Sequence, residues 1–311
     1  MSRALKPPPA IRRASKAWRL STAPPAPAWP SYTGASSYVG TSPNGRVHVF
    51  VDPTLPAEGL QNATDLALDA DRIVALNDSF FGTSTGEVSV IVFALNGATD
   101  GTGGADHMGC DYQSGNAIEV DCSFGDSARV GALFEAELSE CNMGGNLCGA
   151  STGEGLSRWC ATLVSGNALS DFATAPTWFY DGAANWVDQT EPTDGDPDST
   201  GCTMAFLSWL MSDMGESFSG IAQAMVSLGE GGTLAQLYET LTGDACSNAW
   251  PKFSAAIAAL PFGITSDDPF GSSSPQPAPP PVPPGPPPPG PEFGLTLAEV
   301  IDLLSANWPT S

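Results

Sequence analysis

Three glutamates lie in two short motifs, and their spacing could support acid–base or metal chemistry. The motifs are Ala136-Glu137-Leu138-Ser139-Glu140 and Gly153-Glu154-Gly155-Leu156-Ser157-Arg158-Trp159. In a helix, residues three positions apart share a face, so Glu137 and Glu140 should point the same way. Glu154 comes at the expected start of the next helix, where its carboxylate can face the first. Carboxylates that converge in one cleft repel one another unless a cation or shared protons relieve the charge, so we expect a divalent metal.

The types of ligand available bear on which metal fits. Zinc prefers imidazole or thiolate ligands, whereas carboxylates alone suit calcium, magnesium or manganese. The chain has two histidines, His48 in a predicted strand and His107 in a predicted loop before the acidic helix. His107 is the candidate nitrogen ligand, and the alternative is a solvated loop histidine. Glu154 has an alternative too, since an acid in the first turn of a helix is favoured by the helix dipole.

The two motifs resemble those of the gluzincin metallopeptidases, a zincin-like superfamily whose first helix reads His-Glu-x-x-His and whose second supplies a glutamate ligand. By this resemblance Glu137 takes the position of the general base and Glu154 that of the ligand. Ala136 and Glu140 stand where the family has histidines, so the motif is degenerate. The resemblance covers residues 47–262. It implies an α+β, zincin-like fold, with a small mixed sheet and helices in the N-terminal lobe and a mostly helical C-terminal lobe.

Three functions are compatible with these residues. The leading hypothesis is a protein related to metallopeptidases that hydrolyses peptide or protein substrates, in which Glu137 activates water and Glu140, Glu154 and His107 hold zinc or calcium. The second is a non-catalytic pseudopeptidase whose cleft binds a peptide, a glycan or calcium. The third is a hydrolase that uses a pair of carboxylates with separated pKa values, such as a glycosidase.

Charge is distributed very unevenly along the 311 residues, whose formal net charge is −23. Seven of the 11 basic residues precede Asp52, which is the first of the 34 acidic residues. Such an acidic region repels phosphate backbones, so we expect no nucleic-acid partner. No stretch approaches the roughly 20 apolar residues of a membrane helix, so no membrane span is predicted.

Seven cysteines occur without a Cys-x-x-Cys pair, which favours disulfides over a zinc finger. Cys110 and Cys122 flank a short loop that they could close, Cys141 and Cys148 bracket the segment between the two acidic helices, and the odd count leaves one thiol unpaired. The alternative is a set of reduced, buried cysteines. Disulfides favour an extracytoplasmic or secreted protein, although the first 30 residues lack a signal-peptide apolar stretch. Their basic, acid-free composition leaves an organelle transit peptide open.

Composition divides the chain into four parts. Residues 1–45 read as a disordered basic extension, and residues 46–270 as the zincin-like domain. Residues 271–293 form a Pro-rich linker, which favours a stiff polyproline II spacer. Residues 294–311 follow it with an apolar stripe at helical spacing: Leu297, Val300, Ile301, Leu304 and Trp308. This amphipathic helix is predicted to dock on a protein partner, and the alternative is that it folds back on its own domain.

The apolar periodicity of the central domain predicts three strands and seven helices. The strands are predicted at 46–52, 88–95 and 117–120. The helices are predicted at 65–76, 126–143, 154–163, 203–214, 218–228, 233–241 and 248–260.

Overall fold

The computed structural model describes residues 24–271, apart from 84–85, 112–115, 144–146, 167, 173 and 194. The Pro-rich linker and the docking helix, from residue 272 onwards, lie outside the described residues, as does most of the basic extension. The four-part domain division therefore stays a prediction.

Five strands form one mixed sheet. They are β1 (Ser37–Thr41), β2 (Val47–Val51), β3 (Val88–Phe93), β4 (Ala105–His107) and β5 (Ala117–Asp121). Their spatial order is β1-β2-β3-β5-β4. The three central strands are parallel, and β1 and β4 pair antiparallel at the two edges. The central strands read as short apolar runs, as expected for parallel strands that are covered on both faces.

Eight α-helices lie in the described ranges. They are α1 (Ala57–Phe81), α2 (Ser127–Glu140), α3 (Ser151–Ser165), α4 (Ala175–Tyr180), α5 (Pro197–Ser212), α6 (Phe218–Leu228), α7 (Leu234–Thr242) and α8 (Ala249–Ala259). The helices α1 and α2 pack on one face of the sheet, and α3 packs on α2 and α5. None of the helices in the described part is both long and apolar enough to cross a bilayer. The α+β class with a mixed sheet is confirmed.

The prediction of disorder over residues 1–45 is wrong for its last part. The segment before β1 covers the sheet face opposite the helices, where Trp29 and Tyr32 pack on Phe50 and Phe93. Glu119, fully buried on that face, accepts hydrogen bonds from the N–H groups of Ser31 and Tyr32 at 3.0 and 2.6 Å. A buried carboxylate needs such donors, so this contact fixes the segment on the sheet.

Candidate functional site

The edge strand β4 brings His107 to the acidic helix α2. His107 is opposite Ile118 of β5, a core residue on the helix-covered face. Side chains at paired positions share a face, so the His107 ring also points toward α2. The prediction of a loop at His107 is wrong, because it lies in a strand of only three residues. A strand of three residues is too short to show the alternation of apolar and polar residues from which strands are predicted.

His107 contacts both glutamates of the first motif. Its Nε2 lies 2.8 Å from Glu140 Oε2 and 3.9 Å from Glu137 Oε2. Its Nδ1 lies 2.7 Å from the carbonyl oxygen of Gly109, which fixes the ring orientation. The side chains of His107, Glu137 and Glu140 are only 12, 14 and 7% exposed. The helical spacing therefore does place both carboxylates on one face, and that face meets an imidazole.

Two opposing effects act on the pKa of His107. Burial alone lowers it, but the hydrogen bond to Glu140 and the negative charges of Glu140 and Glu137 outweigh burial and raise the pKa to about 9. At neutral pH the ring without a metal therefore carries a proton and forms an ion pair with Glu140. A metal ion must displace that proton in order to bind the ring.

Glu137 binds its proton more tightly than an ordinary glutamate when no cation is present. Burial raises its pKa well above the ordinary value, and the charge of Glu140 raises it further, with a smaller contribution from Glu154. The positive charge of His107 opposes these effects without cancelling them. Perturbation by burial combined with specific charged neighbours is common at functional sites.

Glu154 joins the same cleft from α3. The helix begins at Ser151, three residues earlier than predicted, so Glu154 lies in its first turn. Glycines flank Glu154 for a steric reason. A Cβ at Gly153 would lie 1.9 Å from the carbonyl oxygen of Leu147, and one at Gly155 would lie 2.3 Å from Cγ2 of Thr203. The close approach sets the position of α3 and so directs Glu154 toward α2.

The three glutamates and His107 line a cleft of about 430 Å³. Its other walls come from the loop before β4, from β4 itself, from α2 and α3 and from the segment after α3, with the apolar side chains Leu95, Ala105, Leu133, Ala136, Leu169 and Phe172. The segment after α3 is anchored by Arg129, whose guanidinium pairs with Asp171 and lies 5.1 Å from the centre of the Phe172 ring. The cleft is thus apolar on one wall and acidic on its floor.

A disulfide borders this acidic floor, but it is not the Cys110–Cys122 bond suggested by the sequence. Cys110 is bonded to Cys148, whereas Cys122 and Cys141 are buried and take no part in a disulfide. Five cysteines lie outside any disulfide, whereas the odd count predicted one. The Cys148 sulfur lies 3.3 Å from Glu140 Oε2. As a disulfide sulfur it has no proton to donate, so it packs against the carboxylate. Location outside the cytoplasm stays a prediction.

The cleft unites all four residues predicted for the site, Glu137, Glu140, Glu154 and His107. Arg158 lines the same cleft, although neither motif predicts a role for it. Its spacing from Glu154 could have identified it, because residues four positions apart share a helix face.

The described residues offer a donor set for one divalent cation. Ligand atoms of His107, Glu137 and Glu140 all lie within 4.8 Å of one another. One imidazole with carboxylates suits zinc or manganese, whereas calcium prefers oxygen ligands alone, so calcium is not supported. A second cluster, His107 with Cys110 and Cys148, is also within that distance. It offers no thiolate while its two sulfurs are bonded to each other.

Comparisons with known proteins give a weak structural similarity. No family model and no curated protein matches the chain. An M1 zinc metallopeptidase from Deinococcus radiodurans is similar at 11% identity and a TM-score of 0.40 over 71% of this chain. A mutant of a two-domain M1 zinc metallopeptidase with bound L-tryptophan is similar at 11% identity and a TM-score of 0.42 over 70%.

The chain covers 50% of each of these structures, so it spans about half their length. TM-scores this low do not establish a common fold, and function depends on the site and not on the fold. The chemistry of this chain must therefore follow from its own cleft.

Proposed function

We propose that the cleft binds one divalent metal ion, zinc or manganese, and hydrolyses peptide bonds. The observation that carries this proposal is the contact of one imidazole, His107, with two buried glutamates, Glu137 and Glu140, inside a cleft large enough for a peptide segment. The zincin-like relationship implied by the two motifs belongs to the same proposal.

Each residue has a role that follows from its position. His107 and Glu140 would hold the metal, because their side chains already meet at 2.8 Å and the proton between them is the one a cation displaces. Glu154 would complete the ligand set from α3. A bound metal would polarise the carbonyl of the substrate. Beside a cation the Glu137 carboxyl ionises more readily, so Glu137 can accept a proton from the attacking water.

Burial of the site supports catalysis as well as binding. The side chains of His107, Glu137 and Glu140 are largely buried, and charges act more strongly where water is excluded. The edge strand β4 has its outer side free of strand partners among the described residues, so an extended peptide has backbone groups available to pair with.

A second function is favoured by one specific observation. His107 and Glu140 neutralise each other without any metal, and Ala136 occupies the position where the resemblance would place a histidine ligand. A pseudopeptidase that binds peptides and does not cleave them fits this arrangement.

A test for metal-dependent hydrolysis distinguishes the peptidase from the pseudopeptidase. The purified full-length chain is incubated with a peptide library, first as prepared, then after treatment with a chelator, and then after addition of zinc or manganese. We expect cleavage that the chelator abolishes and the metal restores. Peptide binding without cleavage in all three samples would support the pseudopeptidase, and cleavage that is insensitive to the chelator would contradict a metal-dependent mechanism.

A further inference from the structure

Arg158 differs from every other cationic Lys or Arg side chain in residues 24–271. The other four form ion pairs: Arg46 with Asp78, Arg72 with Asp69, Arg129 with Asp171, and Lys252 with Asp244. Among the described residues, no carboxylate lies within 4.0 Å of the Arg158 guanidinium. The sequence has 34 acids and 11 bases, so acidic partners are abundant, and the absence of one here marks Arg158 out.

The position of Arg158 places this unpaired charge in the cleft. It lies on α3 one turn after Glu154 and lines the same cleft wall as Leu169 and Phe172. Its only hydrogen bond to the described part of the chain runs from Nη1 to the carbonyl oxygen of Phe172, at 3.2 Å. A guanidinium has five N–H donors in a planar fork, so most of its capacity is unused.

Asp267 interacts electrostatically with Arg158 but does not form an ion pair with it. Its Oδ1 accepts hydrogen bonds from the N–H groups of Thr174 and Ala175, both at 2.8 Å. It is therefore occupied in fixing the start of α4 and stays outside ion-pair distance of Arg158.

The cleft thus has an acidic floor and one cationic position. A ligand carboxylate near Glu137, Glu140 or Glu154 would be repelled, while at Arg158 it would find a planar fork that matches its two oxygens. We propose that Arg158 binds a carboxylate of the substrate, so that the cleft selects peptides with a carboxylate close to the scissile bond. This inference deepens the proposed peptidase function and rests on it, because the bound molecule is a substrate only if the cleft hydrolyses peptides.

The carboxylate has two possible sources, the C-terminus of a peptide or an acidic side chain. Three probes separate them: N-acetyl-leucine, N-acetyl-leucinamide and the α-amide of N-acetyl-glutamic acid. Their affinities for the full-length protein are measured by NMR titration, which needs no hydrolysis. In the wild-type protein we expect at least one acid probe to bind about tenfold more tightly than the neutral amide, as for a hydrogen bond to a charged group.

Two variants with the same change in charge test the assignment. Arg158→Gln should bind all three probes with the affinity of the neutral amide, and Lys252→Gln, on the exposed surface of α8, should keep the preference for the acid. If Arg158 only tethers the segment at Phe172, Arg158→Gln would weaken all three probes equally. An equal weakening of all three probes in Arg158→Gln would overturn the proposal. It would also be overturned if the wild-type protein bound acid and amide equally, or if it bound none of the probes.

The outcome is independent of the peptidase proposal. If the protein prefers the acid probes but has no peptidase activity, the peptidase proposal is contradicted and the role of Arg158 is not. Metal-dependent hydrolysis without any preference for a carboxylate would contradict the role of Arg158 alone.

Discussion

Glu135 and Glu137 are two positions apart on α2, and they occupy two different buried environments. Glu135 is fully buried on the side away from the cleft, where Asn77 Nδ2 donates a hydrogen bond to its Oε1 at 3.0 Å. Glu137 faces the cleft, beside His107 and Glu140. Burial is the largest cause of a raised pKa at both carboxyl groups.

The difference shows that a perturbed pKa alone does not define a functional site. At Glu135 burial raises the pKa, but the side chain that contacts it is a neutral amide, so the carboxyl group has a structural role. At Glu137 the neighbours can exchange a proton for a cation, and the cleft admits a ligand. Chemistry therefore needs the second titratable group and the opening, in addition to burial.

The largest effect is expected when a Glu→Gln substitution at Glu137 is compared with the same substitution at Glu135. Glu137→Gln should reduce kcat/KM for peptide hydrolysis by about 10²- to 10⁴-fold, since an amide cannot accept the proton. Glu135→Gln should change it by less than about twofold, because the Gln side chain has the same size and its amide oxygen can still accept the hydrogen bond from Asn77. Steady-state kinetics and thermal melting of both variants provide the measurement. Equal losses at the two positions would mean that the comparison is wrong.

A smaller effect is expected in the dependence of stability on pH, measured without metal. The pKa of His107 is raised from 6.5 to about 9 on folding. Its contribution is fully present below pH 6.5 and is lost as the pH rises toward 9, and the total is on the order of 3 kcal/mol. The raised pKa values of Glu135 and Glu137 act in the same direction, since the unfolded chain ionises first.

Urea denaturation at a series of pH values tests this contribution. His107→Gln should reduce the decline in the free energy of unfolding between pH 6.5 and 9. His48→Gln is the matched control, because His48 is the other histidine and lies on β2, away from the cleft. An unchanged decline in the His107 variant would show that the ion pair with Glu140 does not form in solution.

Sequence patterns predicted the long elements well. The apolar periodicity located α2, α3 and the central strands, because each of them buries one face or two and so carries a regular pattern. The helix at 218–228 was predicted with both ends correct. Helix α1 extends beyond the predicted 65–76 at both ends, and α5 begins six residues before its predicted start, where polar residues fill its first turn.

Elements whose order depends on distant contacts were not predictable. The strand β1 and the segment before it are ordered by Glu119 and by the aromatic residues of the sheet, and none of these is near in sequence. Disulfide connectivity has the same difficulty, because several pairings are compatible with one set of spacings. His107 was identified as a candidate by its residue type alone, and its contact with Glu140 required the pairing of β4 with β5.

Zinc titration of the metal-free protein tests the central claim most directly. Isothermal titration calorimetry on the wild-type chain, His107→Gln and His48→Gln gives stoichiometry and affinity. We predict one zinc ion per wild-type chain, a loss of at least about 100-fold in affinity in His107→Gln, and unchanged affinity in His48→Gln. A wild-type chain that binds no zinc, or a His107→Gln chain that binds it as tightly as the wild type, would contradict the proposed metal centre.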